Sequence, residues 1–286
     1  MIKAARKYSF DRYGKDRSTI VTLRDSFHGR TVTTLEATGQ DVFHNFFFPF
    51  GGGFRYAAAN DAADVIAQLS RGDVCALMME SVQGEGGVTP LDAGFVQEVC
   101  AYAREHDILI LFDEVQTGIG RTGAFFGYQQ LGVEPDLVSA AKGLGGGLPI
   151  GAVLFFEKCA DVLGPSQHGS TFGGNPVACA GAAVVLDKVG DPHFLEGVAA
   201  KGAALREALE AIDSPCIREV RGRGLMLGLG LSDRIAAKDL CAKLLENGLV
   251  TLTAGKNTLR LLPPIVLSDR DITEGVSILR GVLASI

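Results

Sequence analysis

Along most of the chain the apolar positions alternate between two spacings. Short, unbroken apolar runs of strand length occur at "TIVTLR" (19–24), "VCALMME" (74–80), "ILILF" (108–112), "LVSAA" (137–141) and "GAVLFF" (151–156). Between them lie stretches with helical spacing. These are "AADVIAQLS" (62–70) and "DAGFVQEVCAYAREH" (92–106), the second with Phe95, Val99 and Tyr102 on one face. A run that is apolar at every position is buried on both sides, and the helices between such runs supply the cover. The pattern predicts an α/β fold with a mostly parallel sheet flanked by helices.

The texture changes after "NPVACAGAAVVLDKV" (175–189). A long helix over 191–212, a strand-like stretch over 217–231 and a helix over 235–246 follow. Two short strands (249–253 and 258–262) and a last helix (269–285) complete a smaller α/β unit. A boundary near residue 195 is expected, giving a large domain over 1–194 and a small C-terminal domain over 195–286. No Ser/Pro-rich linker separates them, so they should pack closely. The first residues, "MIKAARKYSFDRYG", read as the later part of a helix, because Ile2, Ala5 and Tyr8 share a face and no capping residue precedes them. They hold no apolar stretch of the secretory-signal kind.

Three of the apolar runs end in a charge: Glu80, Asp113 and Lys142. A charge directly after a buried strand is costly unless it is paired, and ligands in open α/β sheets collect at the C-terminal strand ends. The three therefore predict one site. A lysine in a partly desolvated pocket has a lowered pKa and becomes a nucleophile, as Schiff-base lysines do. An aspartate in the same pocket can hold a proton on a pyridine nitrogen. That combination is what pyridoxal phosphate requires of a protein. In "SAAKGLGGGLPIGA" glycines follow Lys142 at once, so the backbone can turn close beside a ring.

Composition narrows the alternatives. The chain has 286 residues, 47% hydrophobic and 21% charged, with a net charge of −6, which gives no bulk attraction to nucleic acid or an anionic membrane. No apolar run approaches the roughly 20 residues of a membrane span. Six cysteines without a CxxC pair read as small core residues in a reducing, cytoplasmic compartment. Five histidines without HxxxH or HxH spacing argue against a zinc site. "GIGRTG" (118–123) matches the dinucleotide fingerprint literally, but five residues separate it from the preceding strand and no clear helix follows.

The order "FHGRT" (27–31), "ESVQGEGGV" (80–88), "LFDEVQTGIGRTG" (111–123), "AAKGLGGGLPIGA" (140–152), "HGSTFGGNPVACA" (168–180) and "LRLLPP" (259–264) resembles the class III pyridoxal-phosphate aminotransferases over essentially the whole chain. "LTAGKNTLRLLPPIVLS" is most similar to the acetylornithine branch of that family, although the ornithine, succinylornithine and gamma-aminobutyrate branches share most of these motifs. The resemblance implies the type I fold of pyridoxal-phosphate enzymes and transfer of a δ-amino group from N-acetylornithine to 2-oxoglutarate. It also implies a cytoplasmic homodimer acting on small amino acids and oxo acids.

Residue by residue, the resemblance makes Lys142 the lysine that carries the cofactor and moves the proton, and Asp113 the partner of the pyridine nitrogen. Val115 and Phe27 would pack on the two ring faces, with Gln116 near the ring oxygen. Thr171 would reach the phosphate of the neighbouring subunit's cofactor. Arg30 and Arg260 would clamp substrate carboxylates, with Glu85 pairing Arg260 in one half of the cycle and releasing it in the other. Family members carry a further N-terminal segment with a phosphate-binding loop ahead of the helix that "MIKAARKY" resembles. Two readings are thus expected, an N-terminally truncated but competent enzyme or a non-catalytic fragment.

Overall fold

The computed structural model describes residues 1–286. Its first half contains α1 (Ile2–Tyr13), β1 (Thr19–Leu23), α2 (Val32–Ala37), β2 (Phe54–Ala57), α3 (Ala62–Leu69) and β3 (Val74–Met79). A small hairpin of β4 (Val82–Gln83) and β5 (Thr89–Pro90) follows, then α4 (Ala93–Glu105), β6 (Leu109–Asp113), β7 (Leu137–Ala140) and β8 (Ala152–Phe155). The second half contains α5 (Pro176–Val189), α6 (Pro192–Glu210), β9 (Ile217–Arg223), β10 (Met226–Leu231), α7 (Ala237–Glu246), β11 (Leu252–Ala254), β12 (Thr258–Leu261) and α8 (Asp269–Ala284).

Six strands form one sheet in the order β2-β1-β3-β6-β7-β8. All neighbours are parallel except the β7–β8 edge, which is antiparallel. The unbroken apolar runs form its centre: every residue of β1, β3 and β6 is buried. Residues alternate across the sheet, so Ile110 and Phe112 join the core on one face while Leu109 and Leu111 join the core on the other. Helix α1 closes the second face through Ala4, Ala5 and Tyr8. Helices α3 and α4 close the first through Val65, Leu69, Val96 and Val99.

The four-stranded sheet β11-β12-β10-β9 is antiparallel and packs on α6, α7 and α8 around a separate core. The boundary expected near residue 195 falls in the first turn of α6, whose Val198, Leu205 and Leu209 belong to this second core. The strand-like stretch 217–231 is a hairpin, not one strand. Gly222 (φ 121°) and Gly224 (φ 51°) let the chain reverse there, and Gly224 lies so close to Thr122 that a Cβ would fall 2.4 Å from its carbonyl carbon. Four cysteines are buried as expected; Cys179 is exposed and Cys241 half-buried. No helix is long and apolar enough to cross a membrane.

Candidate active site

Glu80, Asp113 and Lys142 follow or end β3, β6 and β7, three neighbouring strands, so the parallel topology gathers them on one edge of the sheet. Lys142 opens a single 3-10 turn, Lys142–Gly145, with φ at 49°. A side chain in this left-handed region costs on the order of 1 kcal/mol or more and persists only where its surroundings impose it. Gly146 (φ 58°) and Gly147 (φ 108°) continue the turn. A Cβ on Gly146 would sit 3.0 Å from Val185 of α5, so the glycine allows the turn to lie flat on that helix.

A cleft of about 720 Å³ opens between the two sheets, with Glu85, Val115, Gln116, Arg121, Lys142 and Arg260 among its lining residues. Burial lowers the Lys142 pKa; the carboxylates of Glu85, Asp113 and Glu80 oppose the shift and the Arg260 charge adds to it. The amine is thereby easier to deprotonate than an ordinary lysine.

Asp113 is almost fully buried. Its Oδ1 accepts from the Val115 N–H (3.2 Å) and the Ser139 hydroxyl (3.1 Å), and its Oδ2 lies 2.8 Å from His28 Nδ1. The His28 ring is buried and its Nε2 has no partner. Burial acts to lower the His28 pKa, but the hydrogen bond to Asp113 and the charges of Asp113 and Glu80 overcome it and raise the pKa. Glu80 accepts from the N–H groups of Phe27 (3.1 Å) and Gly84 (3.4 Å), joining the loop after β1 to the loop after β3. Burial pushes Glu80 up to about 7, helped by Asp113 and opposed by His28.

Glu85 Oε1 lies 2.7 Å from Arg260 Nη1 and accepts from Gln116 Nε2 at 3.0 Å. Arg260 also donates to the Gly84 carbonyl at 3.3 Å, while its Nε is buried without a partner. Burial alone would raise the Glu85 pKa; Arg260, Gln116 and Lys142 hold it below the usual carboxylate range.

Asp113, Val115, Gln116, Lys142, Glu85 and Arg260 are thus brought together. Phe27 adjoins them through Glu80 and His28, with its ring edge-on to Phe43 at 5.7 Å. Arg30 is exposed, lies over the Phe27 and Phe43 rings at 5.6 and 5.2 Å, and does not line the cleft. Thr171 is exposed outside its own chain's cleft, on a loop that lines a separate hollow with Pro149, Ile150 and Gly151. Gln116 holds Glu85 in this structure.

Two residues not anticipated above support the site. His28 carries no metal-ligand spacing, and its one sequence signal is its place directly beside Phe27 in "FHGRT". Glu114 is fully buried and accepts from the Thr117 hydroxyl (2.7 Å) and the N–H groups of Gly127 and Tyr128 (both 2.8 Å). It fixes the path of the loop that carries Val115 and Gln116.

A family model described as aminotransferase class-III matches residues 1–283. An acetylornithine aminotransferase of Haemophilus ducreyi is 49% identical over 283 residues, covering 99% of this chain and 71% of the relative. One from Bacillus subtilis is 44% identical over 284 residues, covering 99% of the chain and 72% of the relative. Among solved structures, the ornithine aminotransferase of Toxoplasma gondii superposes with a TM-score of 0.94 at 31% identity, over 99% of this chain and 69% of that one. The N-acetylornithine aminotransferase of Stenotrophomonas maltophilia superposes at 0.85 and 38% identity, over 99% of this chain and 71% of that one.

Proposed function

Because this chain belongs to the aminotransferase class-III family, we propose that it is a pyridoxal-phosphate-dependent transaminase of the acetylornithine type. It moves the δ-amino group of N-acetylornithine to 2-oxoglutarate, giving N-acetylglutamate semialdehyde and glutamate, a step of arginine biosynthesis. The observation that carries the reading is one cleft holding Lys142 beside a Glu85–Arg260 pair, with the Asp113 carboxylate at the adjoining strand end.

The residues fit the cofactor's ring. Asp113 is an acid at a strand end, oriented by three neighbours, and its oxygens retain lone pairs for a pyridinium N–H. Val115 offers an apolar surface in the same cleft. When bound, pyridoxal phosphate supplies an electron sink and a carbonyl that carries the amino group between substrates. Lys142 Nζ would hold that carbonyl and, as a free amine, would accept and return the proton at the reacting carbon. His28, bonded to Asp113 through Nδ1, keeps the carboxylate aimed. Arg260 takes the α-carboxylate of 2-oxoglutarate after Glu85 releases it, while Glu85 keeps Arg260 neutralised for the amine donor. Phe27 would cover the ring face opposite Val115, and Arg30, stacked over Phe27 outside the cleft lining, would meet only a distal carboxylate that extends past that ring.

A homodimer in the cytoplasm completes this reading, with Thr171 reaching the neighbouring cleft. Supporting it, α5 and its surroundings expose Leu148, Phe172, Val177, Val184 and Leu186, an apolar surface of the kind that partners cover. The test is to add pyridoxal phosphate to the purified chain and follow its absorbance, then to measure kcat/KM for N-acetylornithine, ornithine, succinylornithine and gamma-aminobutyrate. A cofactor band equal in Lys142→Ala would sink the role of Lys142. Preference for another donor would move the assignment to another branch.

A further inference from the structure

The "GIGRTG" segment binds no dinucleotide in the reading above, yet its geometry is tightly specified. A Cβ on Gly120 would meet Leu195 at 3.2 Å and one on Gly123 would meet Ala199 at 2.9 Å, both on α6. Thr122 in turn abuts Gly224 in the β9–β10 turn. The segment is therefore a seam between the large sheet's loops and the small unit. Arg121 stands at its centre. Its Nη1 donates to the carbonyls of Leu225 (3.0 Å) and Pro263 (2.5 Å), and its own carbonyl accepts from the Leu225 N–H at 3.1 Å.

Those acceptors matter for the cleft. Leu225 directly precedes β10, and Pro263 lies two residues beyond β12. The two strands pair at Leu227↔Leu261 and Gly228↔Arg260. One guanidinium thus grips both strands at the end beside Arg260, from the same loop that carries Val115 and Gln116. Arg121 also lines the cleft. Its guanidinium is bonded to carbonyls and not to a carboxylate, so its charge adds to the positive field that a dicarboxylate meets.

We infer that Arg121 is a positioning residue that fixes Arg260 over the cleft and so sets the affinity for the dicarboxylate co-substrate. The inference rests on the transaminase reading. The test titrates the cofactor-loaded protein with glutarate, an unreactive five-carbon dicarboxylate, by calorimetry, alongside melting curves and separate KM values for 2-oxoglutarate and the amine donor. Arg121→Met should weaken glutarate by about tenfold and raise the KM for 2-oxoglutarate in parallel, with the donor KM changed less than about twofold. Arg121→Lys, which keeps the charge but loses the fork, should fall between and decides the matter if the methionine variant does not fold. Unchanged glutarate affinity in folded Arg121→Lys and Arg121→Met, with only a lower melting temperature, would overturn the assignment. Wild-type protein that fails to bind glutarate at all would instead remove the transaminase reading on which it rests.

Discussion

Glu85 and Arg260 meet across the seam between the two sheets, with Oε1 and Nη1 2.7 Å apart. Arg260 is almost fully buried and Glu85 about two-thirds so, and each has a second tie, Arg260 to the Gly84 carbonyl and Glu85 to Gln116. Glu85→Gln keeps the shape and removes the neutralising charge. On the transaminase reading, Arg260 should then attract any α-carboxylate, including that of the amine donor, which would bind with the wrong end at the reacting carbon. We expect kcat/KM for N-acetylornithine to fall by about tenfold or more while KM for 2-oxoglutarate stays level or drops. Steady-state kinetics of both substrates checks this; an equal loss for both would refute the switching role.

Glu114 holds the loop that carries Val115 and Gln116 by accepting three hydrogen bonds while fully buried. Burial raises its pKa, and the bonds from Thr117, Gly127 and Tyr128 act against the shift. Glu114→Ala strands two backbone N–H groups and a hydroxyl, and should cost about 3 kcal/mol or more in urea unfolding. Glu114→Gln keeps an acceptor but turns an NH2 against a donor, and should cost less. A change below about 1 kcal/mol in the alanine variant would mean that the loop holds its path without this carboxylate.

Strand-end chemistry was legible because burial and charge collide within one or two residues. "ILILF" followed by Asp113 and "LVSAA" followed shortly by Lys142 announce a cost that only a site explains. What was not legible depends on contacts distant in sequence. His28 meets Asp113 across 85 positions, and nothing local marks that bond. The β9–β10 turn is hidden in the sequence because "VRGRGLMLG" keeps an apolar, glycine-broken rhythm that fits a continuous strand. Its reversal follows from Gly224 fitting against Thr122, about a hundred residues earlier. Arg121 likewise looks like part of a motif, and only the fold reveals which carbonyls it grips.

Lys142 should react before the chain's other lysines. Its pKa is lowered by burial, and it borders a cleft open enough to admit a small aldehyde. Limiting pyridoxal phosphate followed by borohydride at pH 7.5, with peptide mass mapping, should place most of the label on Lys142. Label spread in proportion to exposure would contradict the lowered pKa.

Glu80 and His28, side by side at Asp113, should make stability fall as pH rises through neutrality. Glu80 is raised from 4.5 to about 7, chiefly by burial. Between those values the folded protein retains a proton that the unfolded chain has released. The native state therefore binds more protons, and stability declines with increasing pH across that window. His28 acts in the same direction: its pKa is raised above 6.5, so its contribution is full below that value and is lost as pH passes the folded one. From Glu80 alone the loss is on the order of 3 kcal/mol between pH 4.5 and 7.5. Glu80→Gln removes its titration and one of the charges raising His28, so its profile should be flatter over this range. The two backbone N–H groups of Phe27 and Gly84 must then share one amide oxygen, which lowers stability at acid pH. Unfolding midpoints of both proteins from pH 5 to 8 decide the matter. Parallel profiles would show that Glu80 titrates as an ordinary carboxylate and that burial does not hold its proton.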